Sequence, residues 1–185
     1  MALKNLRRVE PQWMPAERLG QLPMDPRLRP WLIGKGLLTQ RLKSACGSRF
    51  DFRLVDQWSG LLSAVHKSAL PSADAAGLFR DVEMRCGDEI CVYAQTVMPD
   101  STLCAHPWLA ELGNAALGET LGALSNVERS AYEYRSLPVD DALSVRALRA
   151  AKLQPIGVWA RRSRFFLRGA PLLIQELFLP AVGGV

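Results

Sequence analysis

Two charged residues stand where the strand period asks for apolar ones, and they define the chemistry this chain could do. In the run from Leu78 to Arg85, alternation puts Leu78, Arg80, Val82 and Met84 on one face and Asp81, Glu83 and Arg85 on the other. Arg80 is therefore predicted to point into the core. In the run from Leu172 to Leu179, Glu176 shares its face with Leu172, Ile174 and Phe178, so it is predicted to be buried as well. A buried charge is costly unless paired, which leaves two readings open. Either Arg80 and Glu176 form an internal ion pair, or they line a pocket for a ligand that carries a carboxylate and a hydroxyl. The guanidinium fork matches a carboxylate, and a glutamate can accept or hold a hydroxyl proton.

The remaining reactive side chains point to less. His66 and His106 have no nucleophile motif beside them, and both suit a surface position or the start of a helix. Cys46, Cys86, Cys91 and Cys104 form no C-x-x-C pair, and two histidines are too few for a structural zinc site, so reduced, unpaired thiols are expected. Arg161, Arg162, Arg164 and Arg168 resemble a nucleic-acid patch, but the even positions of a strand make one solvated face, and no nucleic-acid-binding motif accompanies them. They could also support an anionic entrance. No Gly-rich phosphate loop or dinucleotide fingerprint is present, so no nucleotide cofactor is expected.

The elements that must position Arg80 and Glu176 are two hairpins. Residues 78–85 and 90–98 flank Gly87-Asp88, and Pro99 ends the second strand because proline cannot extend a central ladder. Residues 162–167 and 172–179 flank Arg168-Gly169-Ala170-Pro171, and the last strand is apolar almost throughout, which predicts a central strand covered on both faces. Phe50, Phe52, Leu54 and Trp58 alternate as in a half-buried strand, and 127–135 reads as one strand with Tyr132 and Tyr134 on one side. Helices are expected over 39–47 with Thr39 as cap, from Pro107, after Leu117, and over 141–152 behind an acidic cap. Residues 60–76 are ambiguous. The whole is an α+β fold, an antiparallel sheet with helices and loops over one face.

At 185 residues the chain fits one domain, 1–185, with an irregular, proline-punctuated N-terminal segment over 1–30. No stretch reaches the ~20 apolar residues of a membrane helix, and the start lacks a signal-peptide core, so cytoplasmic residence without stable membrane insertion is expected. The net charge of +5 suits a small anionic ligand or simple solubility as well as nucleic acid.

The run from Trp159 to Ala181, WARRSRFFLRGAPLLIQELFLPA, closely resembles the C-terminal signature of chorismate pyruvate-lyases. Further matches lie in Pro30-Trp31-Leu32, Leu38-Thr39, Leu78-Phe79-Arg80-Asp81, Thr96-Val97-Met98-Pro99 with Ser101-Thr102-Leu103, and Leu117-Gly118. The resemblance covers most of the chain. It implies a cofactor-free enzyme with no metal that cuts chorismate into 4-hydroxybenzoate and pyruvate, opening ubiquinone synthesis, in a buried site beneath helical flaps. It also assigns roles: Arg80 to the ring carboxylate, Glu176 to the ring hydroxyl, and the backbone amides of Leu38 and Leu117 to the carboxylate as well. Those amides fall at two expected helix starts, where free N–H groups favour an anion. Where the family often has methionine, this chain has Leu38, a change that a backbone contact survives. The 140–152 segment looks longer than in the better-known members. The implied partners are chorismate and 4-hydroxybenzoate, with no nucleic acid and a monomeric chain. A rival reading is a non-catalytic ligand-binding module like the effector domains of transcription regulators, which share this fold; the winged-helix domain that normally precedes them is not visible here.

Overall fold

In the computed structural model, which describes residues 12–185, the two apolar hairpins form the middle of one antiparallel sheet. Its strands are β1 (Phe50–Leu61), β2 (Ala76–Cys86), β3 (Glu89–Pro99), β4 (Val127–Arg129), β5 (Glu133–Leu137), β6 (Val158–Leu167) and β7 (Ala170–Phe178). They lie in the order β1-β2-β3-β7-β6, and both β4 and β5 pair with the far edge of β6. β7 is central, as its apolar run requires: Leu172, Leu173 and Leu177 are all buried. The β6–β7 turn takes positive φ at both Arg168 (48°) and Gly169 (87°), the mirror-image turn that suits the right-handed twist of paired strands.

Short helices cover the sheet on both faces, not one as expected. On the front lie α1 (Arg29–Ile33) and α2 (Leu38–Cys46), whose Leu32, Leu38 and Leu42 pack with Val82, Met84 and Phe178. Beside them, α4 (Asp100–Ala105) and α5 (Leu117–Gly122) border a cluster of Leu78, Met98, Leu121 and Leu172. The back face takes α3 (Ala64–Ala69), against Phe79, Val97 and Leu173, and α6 (Ala142–Ala150), whose Leu143, Ala147 and Leu148 meet Tyr93, Ala160 and Leu177. α6 is the segment that looked long in the sequence. Asp141 caps it, its Oδ1 accepting from the amides of Leu143 (2.9 Å) and Ser144 (3.2 Å).

Several local expectations are corrected. α2 begins at Leu38 with Leu37 as the capping residue and no side-chain cap; Thr39 sits inside the helix and is buried. The strand expected over 127–135 is split, because Ser130 turns aside to exchange hydrogen bonds with the backbone of Arg164. Pro107–Glu111 forms a 3-10 turn. The ambiguous 60–76 region holds the end of β1, then α3, opened by a capping box between Ser63 and His66. Cys46 and Cys86 are disulfide-bonded, not free: the end of α2 lies on the end of β2, bringing their Cα atoms to 5.5 Å although 40 residues separate them. Of the N-terminal segment, 1–11 lies outside the described residues; Met14 pairs with Tyr134, and Ala16–Gln21 form a 3-10 helix.

Candidate active site

The register of the central strands brings the two predicted charges to one patch. Across the front face one row runs Val82, Ala94, Glu176, Arg161, and the next runs Arg80, Thr96, Ile174, Ser163. Arg80 and Glu176 line one pocket there, together with Leu38, Leu117, Arg129 and Tyr132. The pocket measures about 60 Å³ and lies under α2 and α5.

Arg80 is 1% exposed. Its Nη2 donates to the carbonyls of Gly113 (2.7 Å) and Ala115 (2.9 Å), while its Nε is buried with no partner. No carboxylate pairs with it among the described residues. Burial alone pushes its pKa below the usual arginine range, the mark of a cation that has lost water and gained no counter-ion.

Glu176 is held by a different arginine. Arg161, 0% exposed, donates from Nε to Glu176 Oε2 at 2.5 Å. Arg161 Nη1 also reaches the carbonyls of Leu32 and Gly34, 3.1 Å each, and the guanidinium stacks on Tyr132 at 4.2 Å. The internal Arg80–Glu176 ion pair weighed from the sequence is therefore absent. Glu176 Oε1 has no hydrogen-bond partner among the described residues.

Arg129, a residue the sequence reading missed, completes the patch. It donates from Nε to Ser163 Oγ at 3.2 Å and lies over Tyr132 at 3.7 Å. Burial lowers its pKa; the charge of Glu176 opposes that and the charge of Arg161 adds to it. Arg161 was also misread. It belongs to the odd-numbered face of β6 with Trp159, Ser163 and Phe165, and that mostly apolar alternation was the available signal. Its even-numbered neighbour Arg162 is buried on the back face and paired with Glu133 at 2.9 Å, so the expected solvated arginine face does not exist there.

Leu38 and Leu117 are the first residues of α2 and α5, and neither helix has a capping side chain. Amides at that position have no intrahelical acceptor and are free for a ligand. The two helices are joined at the surface by Lys43–Glu119 at 2.8 Å, an exposed pair worth little in water. His66 and His106 are remote from this patch: His66 serves the capping box of α3, and His106 meets the carbonyl of Leu167. No three His, Cys, Asp or Glu side chains among the described residues converge to hold a metal ion.

Fold and site together define a small-ligand pocket laid on one face of an antiparallel sheet, lidded by short helices and biased toward an anion. The effector domain of PhnF from Mycobacterium smegmatis shares this fold, with a TM-score of 0.57 at 14% identity over 80% of this chain and 91% of that one. A GntR-family transcriptional regulator from Bacillus cereus superposes with a TM-score of 0.55 at 11% identity, covering 72% of this chain and 93% of its own. Sequence comparison is more specific. The pattern of the chorismate lyase family matches residues 7–182. A Methylococcus capsulatus protein named "Probable chorismate pyruvate-lyase" is 38% identical over 84% of this chain and 96% of its own length. A Nitrosospira multiformis protein of the same name is 33% identical over 92% of this chain and 93% of its own. The chain belongs to the chorismate lyase family.

Proposed function

We propose that this chain is a chorismate pyruvate-lyase, converting chorismate to 4-hydroxybenzoate and pyruvate in the front-face pocket. The observation that carries the reading is the buried Arg80 guanidinium without a counter-ion, aligned on one face with a glutamate that another arginine already holds. Arg80 receives the ring carboxylate, together with the amides of Leu38 and Leu117. The free Oε1 of Glu176 accepts from the ring hydroxyl. Chorismate carries two carboxylates, and the site offers two guanidiniums with no carboxylate partner, Arg80 and Arg129; Arg129 is placed to take the side-chain carboxylate.

In the reaction a proton leaves the ring carbon that bears the hydroxyl, its bonding pair completes the aromatic ring as the ether C–O bond breaks, and the enolpyruvate released takes up a proton at its methylene carbon to become pyruvate. The chemistry is downhill. The protein has mainly to hold the reactive conformer and balance charge, which preorganised donors in a dry site can do without coenzyme. In this reading α2 and α5, which cover the pocket, part to admit chorismate. The 4-hydroxybenzoate formed would enter ubiquinone synthesis, with the enzyme acting as a cytoplasmic monomer.

The test is to incubate purified, chelator-treated protein with chorismate and quantify both products. Equal amounts of 4-hydroxybenzoate and pyruvate are expected. Tight binding of chorismate without pyruvate release would identify a ligand-binding module instead, and activity that returned only with added metal would refute the cofactor-free mechanism.

A further inference from the structure

The back of the sheet holds a second cavity, about 350 Å³, with the full thickness of the sheet between it and the front pocket. α3 and α6 cover that face and leave it between them. Gln95 and Gln175, cross-strand partners, lie in its floor. An aromatic wall is formed by Trp58 stacked on Phe79, with ring centroids 5.3 Å apart and planes within 10°. Trp13 lines the cavity too, and its indole N–H is buried without an acceptor.

The charges around this cavity balance in number, three arginines against three carboxylates, but not all of them are paired. Arg146 pairs with Asp81 at 3.0 Å, and Asp81 is further satisfied by Tyr93 Oη (2.7 Å) and Gln95 Nε2 (2.9 Å). Arg162, adjoining, is matched by Glu133. Asp141 is committed to the first amides of α6. His66 accepts the Ser63 N–H on Nδ1, and burial with the nearby Arg146 charge favours its neutral form. Arg135 is the exception. It lines the cavity at 8% exposure, its side chain makes no hydrogen bond or ion pair with any described residue, and its Nε is enclosed without a partner. A buried guanidinium left in this state costs free energy that an anion would recover.

We propose that the back cavity is a second binding site, taking a small aromatic carboxylate. Arg135 receives the carboxylate, and the ring lies against the Trp58–Phe79 wall, with the amide of Gln175 free to meet a polar ring substituent. An inorganic anion would leave the aromatic wall and most of the volume unused. Access is past Val65, which is 46% exposed at the rim. The proposal does not depend on the reaction in the front pocket.

The test uses benzoate as probe and the tryptophan indole signals of the whole chain in proton–nitrogen NMR, assigned by Trp13→Phe and Trp58→Phe. The Trp58 signal is expected to shift saturably with benzoate, and to do so equally in Arg80→Ala protein. Arg135→Gln should weaken that event about tenfold or more, the worth of a charge-assisted contact. Val65→Asp, an exposed change that leaves the core untouched, should weaken it several-fold by placing negative charge at the rim, and decides the matter if Arg135→Gln fails to fold. Chorismate turnover should be unaffected in either variant. A Trp58 signal that does not move, or one whose shift survives Arg135→Gln and Val65→Asp yet disappears in Arg80→Ala, would overturn the proposal while leaving the lyase reading intact.

Discussion

Arg80 and Glu176 differ in what their removal should do, because one is unpaired and the other is not. Arg80→Ala strands no carboxylate, so the main loss should be in binding: 4-hydroxybenzoate affinity measured by calorimetry should fall by ~1.5–3 kcal/mol, roughly ten- to a hundredfold. Arg80→Lys should recover only part of this, since an ammonium cannot reproduce the planar fork. Glu176→Leu leaves the fully buried Arg161 without its carboxylate, so it should cost stability first, ~3–5 kcal/mol in a denaturant titration. A variant order in which Arg80→Ala is the strongly destabilised one, with unchanged ligand affinity, would contradict the assignment. Both residues were legible from the strand period, because a single charge in an apolar alternation stands out. Their true partners were not: Arg161 sits in a dense run of arginines, where only the tertiary cover of each face decides which ones are buried.

Among the elements, α2 and α5 suit the lid role proposed for them because they are short, begin without side-chain caps and share an exposed ion pair. On the opposite face α3 depends on His66. Its Nδ1 accepts the Ser63 N–H, which only the unprotonated ring can do, and burial also disfavours the imidazolium. His66 should therefore titrate below the usual imidazole range in a proton NMR titration, where the two histidines of the chain are easily told apart by His66→Gln. Its folded pKa being lowered, the unfolded chain binds the extra proton first, so its stabilising contribution is present above about pH 6.5 and is lost as pH falls below it. A His66 midpoint at or above 6.5 would show that the capping box does not hold. Strands and turns were readable at this scale: both hairpins, the central β7 and the capped α6 lie where apolar periodicity, Gly87, Gly169 and Asp141 put them. The split between β4 and β5 was not, since Ser130 leaves the strand for a long-range partner, the backbone of Arg164. Nor was the covering of both sheet faces, which made Asp81 and Glu83 buried where alternation alone placed them outside.

For the molecule as a whole, the sheet separates two cavities while the Cys46–Cys86 bond ties the end of α2 to the strand that carries Arg80. Cysteine spacing could not show this, because the pairing rests on how α2 lies against β2. Thiol titration of the denatured chain should count two thiols, Cys91 and Cys104, before reduction and four after. Closing a loop of 40 residues should stabilise the oxidised chain by up to roughly 4 kcal/mol on a chain-entropy basis. Four thiols without reductant would mean that the pair stands reduced, as a reducing compartment favours. The proposed front-pocket arrangement has an unpaired Arg80 and a free Glu176 oxygen together read an aromatic hydroxy acid beneath α2 and α5. A crystal structure of the protein soaked with 4-hydroxybenzoate tests it most directly. The carboxylate is expected within hydrogen-bonding distance of Arg80 and of the Leu38 and Leu117 amides, with the hydroxyl on Glu176; a saturated complex with the front pocket empty, or with the ring reversed so that its hydroxyl meets Arg80, would rule this arrangement out.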